Sequence, residues 1–435
     1  MTRTEELPPL WVPPLWRVLL ALIPVYASAC GAGESTNRTG ADYLYVIAGD
    51  VDEKDADFLA VFDVRAGSQT YGQLVRTVPI EGRGNWPHHA EHHVTAGRTL
   101  FVNGWNSGRT FVFDLSQRAA PQVKTSFTTA GGYAFPHSYA RLPNGNVLAT
   151  FQSRAGDYTP PGGLVELDET GAAIRSVSGV APGIPDHDTW PYSLLVLPDH
   201  NRVITTNTRM GTVPEWLGLA QGPEHVHAGR GSRPTHVQIW RLSDLALLAT
   251  LHLPPQGGGH HELPAEVRRL ANGDIYVNTF TCGLYRLEGV DTQIPSVVPV
   301  LYTPQQGFKW CAVPVVIGNY WIHPSATESA VIVYDLSDRN AAREVSRVTL
   351  QPPFSEPHYI SVDPSAPRLV VTADEPDVWV MIMNLDPRSG VLTVDQRFRE
   401  PGADHAGYDF NRTEWPHGPT GKAMPHGAVF STGSK

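Results

Sequence analysis

The feature that most constrains this chain is a dipeptide, Pro-His, set just ahead of β-strand patterns at spacings of about one propeller blade or a small multiple of it. It occurs in Trp86-Pro87-His88, Phe135-Pro136-His137, Glu356-Pro357-His358 and Met424-Pro425-His426. Trp190-Pro191-Tyr192 and Leu263-Pro264-Ala265 share the frame without the histidine. Such a frame predicts one ring of similar units that points imidazoles at a common centre.

From Asp42 onward, short β-branched and aromatic runs alternate with Gly, Pro, Asn and Asp, the signature of strands and turns. Examples are Phe58 to Asp63, Thr99 to Asn103, Gly163 to Leu167, Val237 to Arg241 and Arg368 to Thr372. No segment carries a sustained helical apolar period. Each unit holds a lead-in dipeptide, a first strand, a turn such as Pro143-Asn144-Gly145, a second strand, and a third strand ending near an Asp such as Asp114 or Asp335. Lead-ins near Pro87, Pro136, Pro191, Pro264, Trp310 and Pro357, with a first unit from Asp42, predict an all-β fold: a single seven-bladed β-propeller over 42–435. The strand-like Ala428 to Phe430, after Pro425-His426, is expected to pair with the N-terminal unit and close the ring, removing free sheet edges. A pair of β-sandwiches would need no shared lead-in.

Forty Gly and 38 Pro in 435 residues fit a loop-rich β protein, and the formal charge of -10 without a basic run argues against a nucleic-acid partner. The first residues read differently. Arg17 precedes an apolar run from Val18 to Tyr26, too short to span a bilayer, and then Ala27-Ser28-Ala29-Cys30. Residues 1–29 therefore read as a secretory signal, and 30–41, rich in Gly, Ser, Thr and Asn, as a flexible tether. Cleavage before Cys30 would yield a lipid-anchored cysteine, although Ala27 and the acidic Glu5 and Glu6 depart from that pattern; an ordinary cut after Ala29 is the alternative. Either predicts export, to the periplasm or as a membrane-anchored lipoprotein. Cys282 and Cys311 are too few for a disulfide framework and read as buried thiols or one bridge.

Lead-in residues of a propeller line one mouth of the central channel, so His88, His137, His358 and His426 are candidate metal ligands. Imidazoles without thiolates suit Cu, Zn, Fe or Ni, and copper binds such nitrogen sites most tightly of these. The run from His88 to His93 reads alternatively as a solvated loop. His260 and His261, after three glycines, read as a rim loop; His187 is a turn or lining residue; His417 is a loop contact. His200, His225, His227, His236, His252, His323 and His405 read as structural. Glu266, just inside its lead-in, is the candidate catalytic carboxylate, able to orient an imidazole or accept a proton, with a structural hydrogen bond as the alternative reading. No G-x-S-x-G elbow, P-loop or dinucleotide fingerprint accompanies the strands.

Phe58 to Val64, Tyr71 to Ile80, Pro87-His88-His89, Phe135-Pro136-His137, Pro264 to Arg268 and Met424-Pro425-His426 together resemble the selenium-binding protein or methanethiol oxidase family. The resemblance implies a seven-bladed propeller that holds copper through histidines in the channel mouth. It further implies oxidation of methanethiol by O2 to formaldehyde, hydrogen sulfide and hydrogen peroxide. It places ligands at His88, His89, His137 and His426, and does not assign His358. Selenium-named members carry a cysteine in the segment around Gly72, which this chain lacks, so selenium binding through that thiol is not expected. The family's Cys-rich stretch after the paired histidines is absent too.

The leading expectation is thus a copper oxidase of a small thiol. A non-catalytic exported propeller that binds metal or a partner is the alternative. A propeller lactonase or lyase is the third, and it would be expected to ring a hard cation with carboxylates and amides rather than imidazoles.

Overall fold

The innermost strand of each blade meets the channel, and the chain's lead-ins feed those strands one after another. A computed structural model describes residues 40–94, 99–156, 158–210, 234–255, 263–301, 311–373 and 377–433. Cys30, the signal and nearly all of the tether, His225, His227, His260, His261 and Trp310 lie outside the described residues.

Seven antiparallel sheets form the blades of a β-propeller. Blade 1 joins Ala423–Phe430, as innermost strand, to Tyr43–Asp50, Phe58–Asp63 and Leu74–Pro79. Blades 2 to 7 have Pro87–Ala90, Tyr133–Arg141, Pro191–Leu197, Pro264–Arg269, Val315–Ile317 and Pro357–Val362 as lead-in strands and run outward from them in chain order; the short Thr129–Ala130 adds to Tyr133–Arg141 in the third, and Tyr408–Asp409 pairs with Trp379–Leu385 in the seventh. The C-terminal strand therefore closes the ring as expected, with Leu44 opposite Phe430 and Gly49 opposite Met424. Among the described residues there is no α-helix, only the single 3-10 turns Asp186–Asp188 and Pro198–His200.

Each sheet is covered on both faces by its neighbours. Separate apolar clusters fill all seven blade junctions, such as Leu44, Phe62, Val380 and Phe430 between blades 1 and 7, or Leu148, Leu194 and Trp240 between blades 3 and 4. That is why strands such as Phe58–Asp63 are buried along their whole length and read as continuous apolar runs rather than alternating ones. The three-strand unit expected from sequence needs correction. A fourth, outer strand completes each blade, for instance Gln122–Phe127 and Ala173–Ser178. These two strands are polar and half exposed, so they lack the apolar signal that marks the inner three.

Cys282 and Cys311 form a disulfide, which resolves the alternatives left by sequence. It ties blade 5 to the segment leading into blade 6.

Candidate metal centre

The lead-in works through two local devices. Trp86, Phe135, Leu263 and Glu356, each directly before its proline, adopt left-handed φ values of 48°, 55°, 64° and 53°. Bulky residues rarely do so, and at about 1–3 kcal/mol each the conformation persists only where surrounding structure imposes it. The second device is a β-bulge. From Pro87 to Ala90 the strand advances three residues while its partner runs only from Gly104 to Val102. A regular strand would send His88 and His89 to opposite faces. The bulge lets both face the channel, with rings stacked at 4.6 Å and 11°. The same one-residue surplus follows Pro136, Pro191, Pro264, Pro357 and Pro425.

The structure brings together every sequence-derived histidine candidate. His88, His89, His137 and His426 have no solvent exposure, and His358 has 3 %. One ring nitrogen each of His88, His89 and His426 falls within 4.8 Å of the others, a spacing that could hold a metal ion. His137 joins them with its ring 4.3 Å from that of His89, and His358 lies 4.6 Å from His426. His358 stands outside the tight trio.

Orientation is set by backbone carbonyls. Nδ1 of His426 donates to the His88 carbonyl at 2.7 Å, and Nδ1 of His137 to the Tyr192 carbonyl at 3.1 Å. The lone pair of each ring is then on Nε2, as metal-ligating imidazoles require. Neither ring nitrogen of His89 has a hydrogen-bond partner among the described residues. Burial, reinforced by neighbouring imidazoles, holds His88, His89 and His426 well below the ordinary histidine range. Burial likewise pushes His137 and His358 down to about 3. The cluster is therefore neutral at physiological pH, the protonation state a soft or borderline cation needs. This donor set fits a copper or zinc ion; it offers no hard oxygen cage.

Around the channel runs a belt of inter-blade hydrogen bonds that sequence reasoning missed. Asn103 Oδ1 accepts the N–H of His89 at 2.5 Å, while its Nδ2 donates to the Pro136 carbonyl at 2.9 Å. Thr150 links Ser138 N–H to the Tyr192 carbonyl, Thr206 links Ser193 N–H to the Ala265 carbonyl, and Asn278 links Glu266 N–H to the Ala312 carbonyl. Val313 N–H donates to the His358 carbonyl and Thr372 to that of His426. Between blades 1 and 2 the ring of His426 itself makes the link. There the blades approach so closely that a Cβ at Gly427 would stand 2.8 Å from the His88 carbonyl oxygen. The sequence signal for this belt was a polar residue in the middle of an otherwise apolar second strand.

Glu266 is wholly buried. Its Oε2 accepts from Ser193 Oγ at 2.5 Å and from Arg268 Nη1 at 2.7 Å, whereas Oε1 has no hydrogen-bond partner among the described residues. Burial alone would raise its pKa, but Arg268, His92 and Ser193 outweigh it and hold the carboxyl at about 2. His92 belongs to this group rather than to the metal cluster. Its Nε2 accepts from Arg268 at 3.1 Å and its Nδ1 lies 3.3 Å from the Tyr359 hydroxyl, so both ring nitrogens are occupied. The run from His88 to His93 is thus no solvated loop. Glu91 within it is buried and bidentate with Arg141 at 3.0 and 2.8 Å; only His93 is exposed. His187 sits in an exposed turn, and His417 is held between Thr77 and Thr420 as a loop contact.

Where blades 4 to 6 lack imidazole, an apolar wall takes its place. Tyr192, Leu263, Ala265, Phe280, Ala312 and Val313 are buried together there, and Tyr192 lies against His137 with ring centroids 3.7 Å apart.

A sequence model of the 56 kDa selenium-binding protein family matches residues 21–316. This chain belongs to that family. Among the family's curated relatives, it is 29 % identical to the methanethiol oxidase of Ruegeria pomeroyi over 185 residues, 38 % of this chain and 41 % of that one. To the human methanethiol oxidase it is 24 % identical over 369 residues, 74 % of this chain and 73 % of that one. The match to the Ruegeria protein thus spans less than half of its length. The X-ray structure of a hypothetical selenium-binding protein from Sulfolobus tokodaii superposes with a TM-score of 0.71 at 17 % identity, covering 91 % of this chain and 94 % of that one. The periplasmic gluconolactonase of Pseudomonas aeruginosa gives 0.59 at 15 % identity, covering 90 % and 100 %. At these identities the two structures establish a shared propeller fold.

Proposed function

We propose that this chain is a copper-dependent oxidase of a small thiol such as methanethiol. The observation that carries the reading is the cluster of buried, neutral imidazoles facing an apolar wall, in a family whose relatives include methanethiol oxidases. His88, His89, His137 and His426 would hold the metal, with His358 beside them. Copper, when bound, would supply a soft Lewis acid that favours the thiolate and a redox couple able to pass electrons to O2. The chain's own residues do the rest. Glu266 is ionised, and its Oε1, which carries no hydrogen bond among the described residues, would take the thiol proton; Arg268 and Ser193 keep that carboxylate oriented through Oε2. The wall of Ala265, Phe280, Ala312 and Val313 receives the alkyl group and excludes water. The overall reaction balances as methanethiol, O2 and water giving formaldehyde, hydrogen sulfide and hydrogen peroxide, with two electrons moving from carbon to O2.

Export belongs to the same proposal. The reading of residues 1–29 as a signal is supported by the Cys282–Cys311 disulfide, because such bonds persist in oxidising compartments. Lipid attachment at Cys30 would be read by mass spectrometry of protein from a secreting host.

Purified protein reconstituted with copper should retain about one ion per chain and release peroxide when methanethiol is added. Failure to take up copper overturns the reading. Complete burial of the ligand nitrogens favours one rival, metal sequestration without turnover; stable loading with no peroxide and no thiol loss would select it.

A further inference from the structure

We propose that Asn103 is a positioning residue for the histidine centre, setting the spacing between His89 and His137; this rests on the metal-site reading above. Asn103 lies on the second strand of blade 2, Thr99–Gly104, and is fully buried. One end of its planar amide holds the backbone of His89 and the other holds the carbonyl of Pro136, the residue before His137. A single rigid group therefore grips two imidazole-bearing strands from different blades, whose rings stand 4.3 Å apart. The equivalent link at Asn278 joins Glu266 to the carbonyls of Ala312 and Cys311, and its hydrogen bonds reach neither a histidine nor a residue beside one. The two asparagines share burial, belt position and bonding pattern, and differ in what they hold.

The comparison of Asn103→Ala with Asn278→Ala tests this, using Cu(II) alone as probe. Copper affinity by competition with a chelator and the Cu(II) electron paramagnetic resonance spectrum are the readouts, with thermal melting of the metal-free protein as the measure of structural damage. Asn103→Ala is expected to weaken copper by roughly 10–100-fold, the usual effect of losing an outer-shell partner, and to alter the spectrum. Asn278→Ala is expected to lower the melting temperature and leave both copper readouts unchanged. Asn103→Asp keeps the acceptor for His89 N–H and loses the donor to Pro136, so it serves if the alanine variant does not fold, with a changed spectrum expected. Wild-type affinity and spectrum in the Asn103 variants, or equal copper losses at both positions, overturn the proposal. Wild-type protein that takes up no copper instead overturns the functional reading itself, and this proposal with it.

Discussion

Acid should destabilise the metal-free protein through its central histidines, and His358 gives the cleanest view of it. An unfolded histidine titrates near 6.5, whereas burial holds His358 at about 3 in the fold. Between these values the unfolded chain binds a proton that the folded protein refuses. The stability from keeping this ring neutral is therefore complete above about pH 6.5 and drains away as the pH falls toward 3. From pH 7 to pH 5 the loss is about 2 kcal/mol for His358, and about the same again for His137, which also titrates near 3. His88, His89 and His426 act in the same direction. Asp57 opposes them, because burial raises it to about 6, and it returns about 1 kcal/mol over that range. Set against a total stability of roughly 5–15 kcal/mol, the histidine terms are large enough to measure. Urea unfolding of chelator-treated wild type and His358→Asn at pH 7 and pH 5 is the assay. The variant should lose about 2 kcal/mol less than wild type between the two pH values. Equal losses in the two proteins, within about 0.5 kcal/mol, would refute the claim that this ring is buried and neutral.

Three further outcomes are expected. Glu266→Gln should retain copper while thiol turnover falls by about 10²–10⁴-fold, the range typical of a lost acid–base group; unchanged turnover removes Glu266 from the mechanism. Breaking the Cys282–Cys311 bridge, which spans 29 residues, should cost about 3.6 kcal/mol on the chain-entropy scale. Denaturant midpoints of Cys282→Ser/Cys311→Ser against wild type, with and without reductant, check this, and only wild type should respond to reductant. Truncation after Lys422 removes the innermost strand of blade 1 together with His426, so the product should be insoluble or lack cooperative melting; a folded, cooperatively melting product would contradict the closure.

The architecture and the ligand candidates are legible in the order of amino acids alone. Strand runs and turns are local, so their repetition was enough to count seven blades and to find the C-terminal strand that closes them. The Pro-His frame marked four of the five imidazoles that meet in the channel, because lead-in residues of a propeller converge whatever lies between them; His89 came from the family resemblance. How those groups are arranged depends on contacts between strands and blades. The paired orientation of His88 and His89 depends on a bulge measured against a partner strand. The tautomers of His137 and His426 are set by carbonyls 55 and 338 residues away in the chain. His92 could not be separated from the candidate metal ligands until Arg268 and Tyr359, from other blades, were seen to occupy its nitrogens. Asn103 and its counterparts looked like isolated polar interruptions of apolar strands. Their role exists only between blades, where a buried donor and acceptor must find partners on a neighbouring sheet, and no local pattern records which sheet that is.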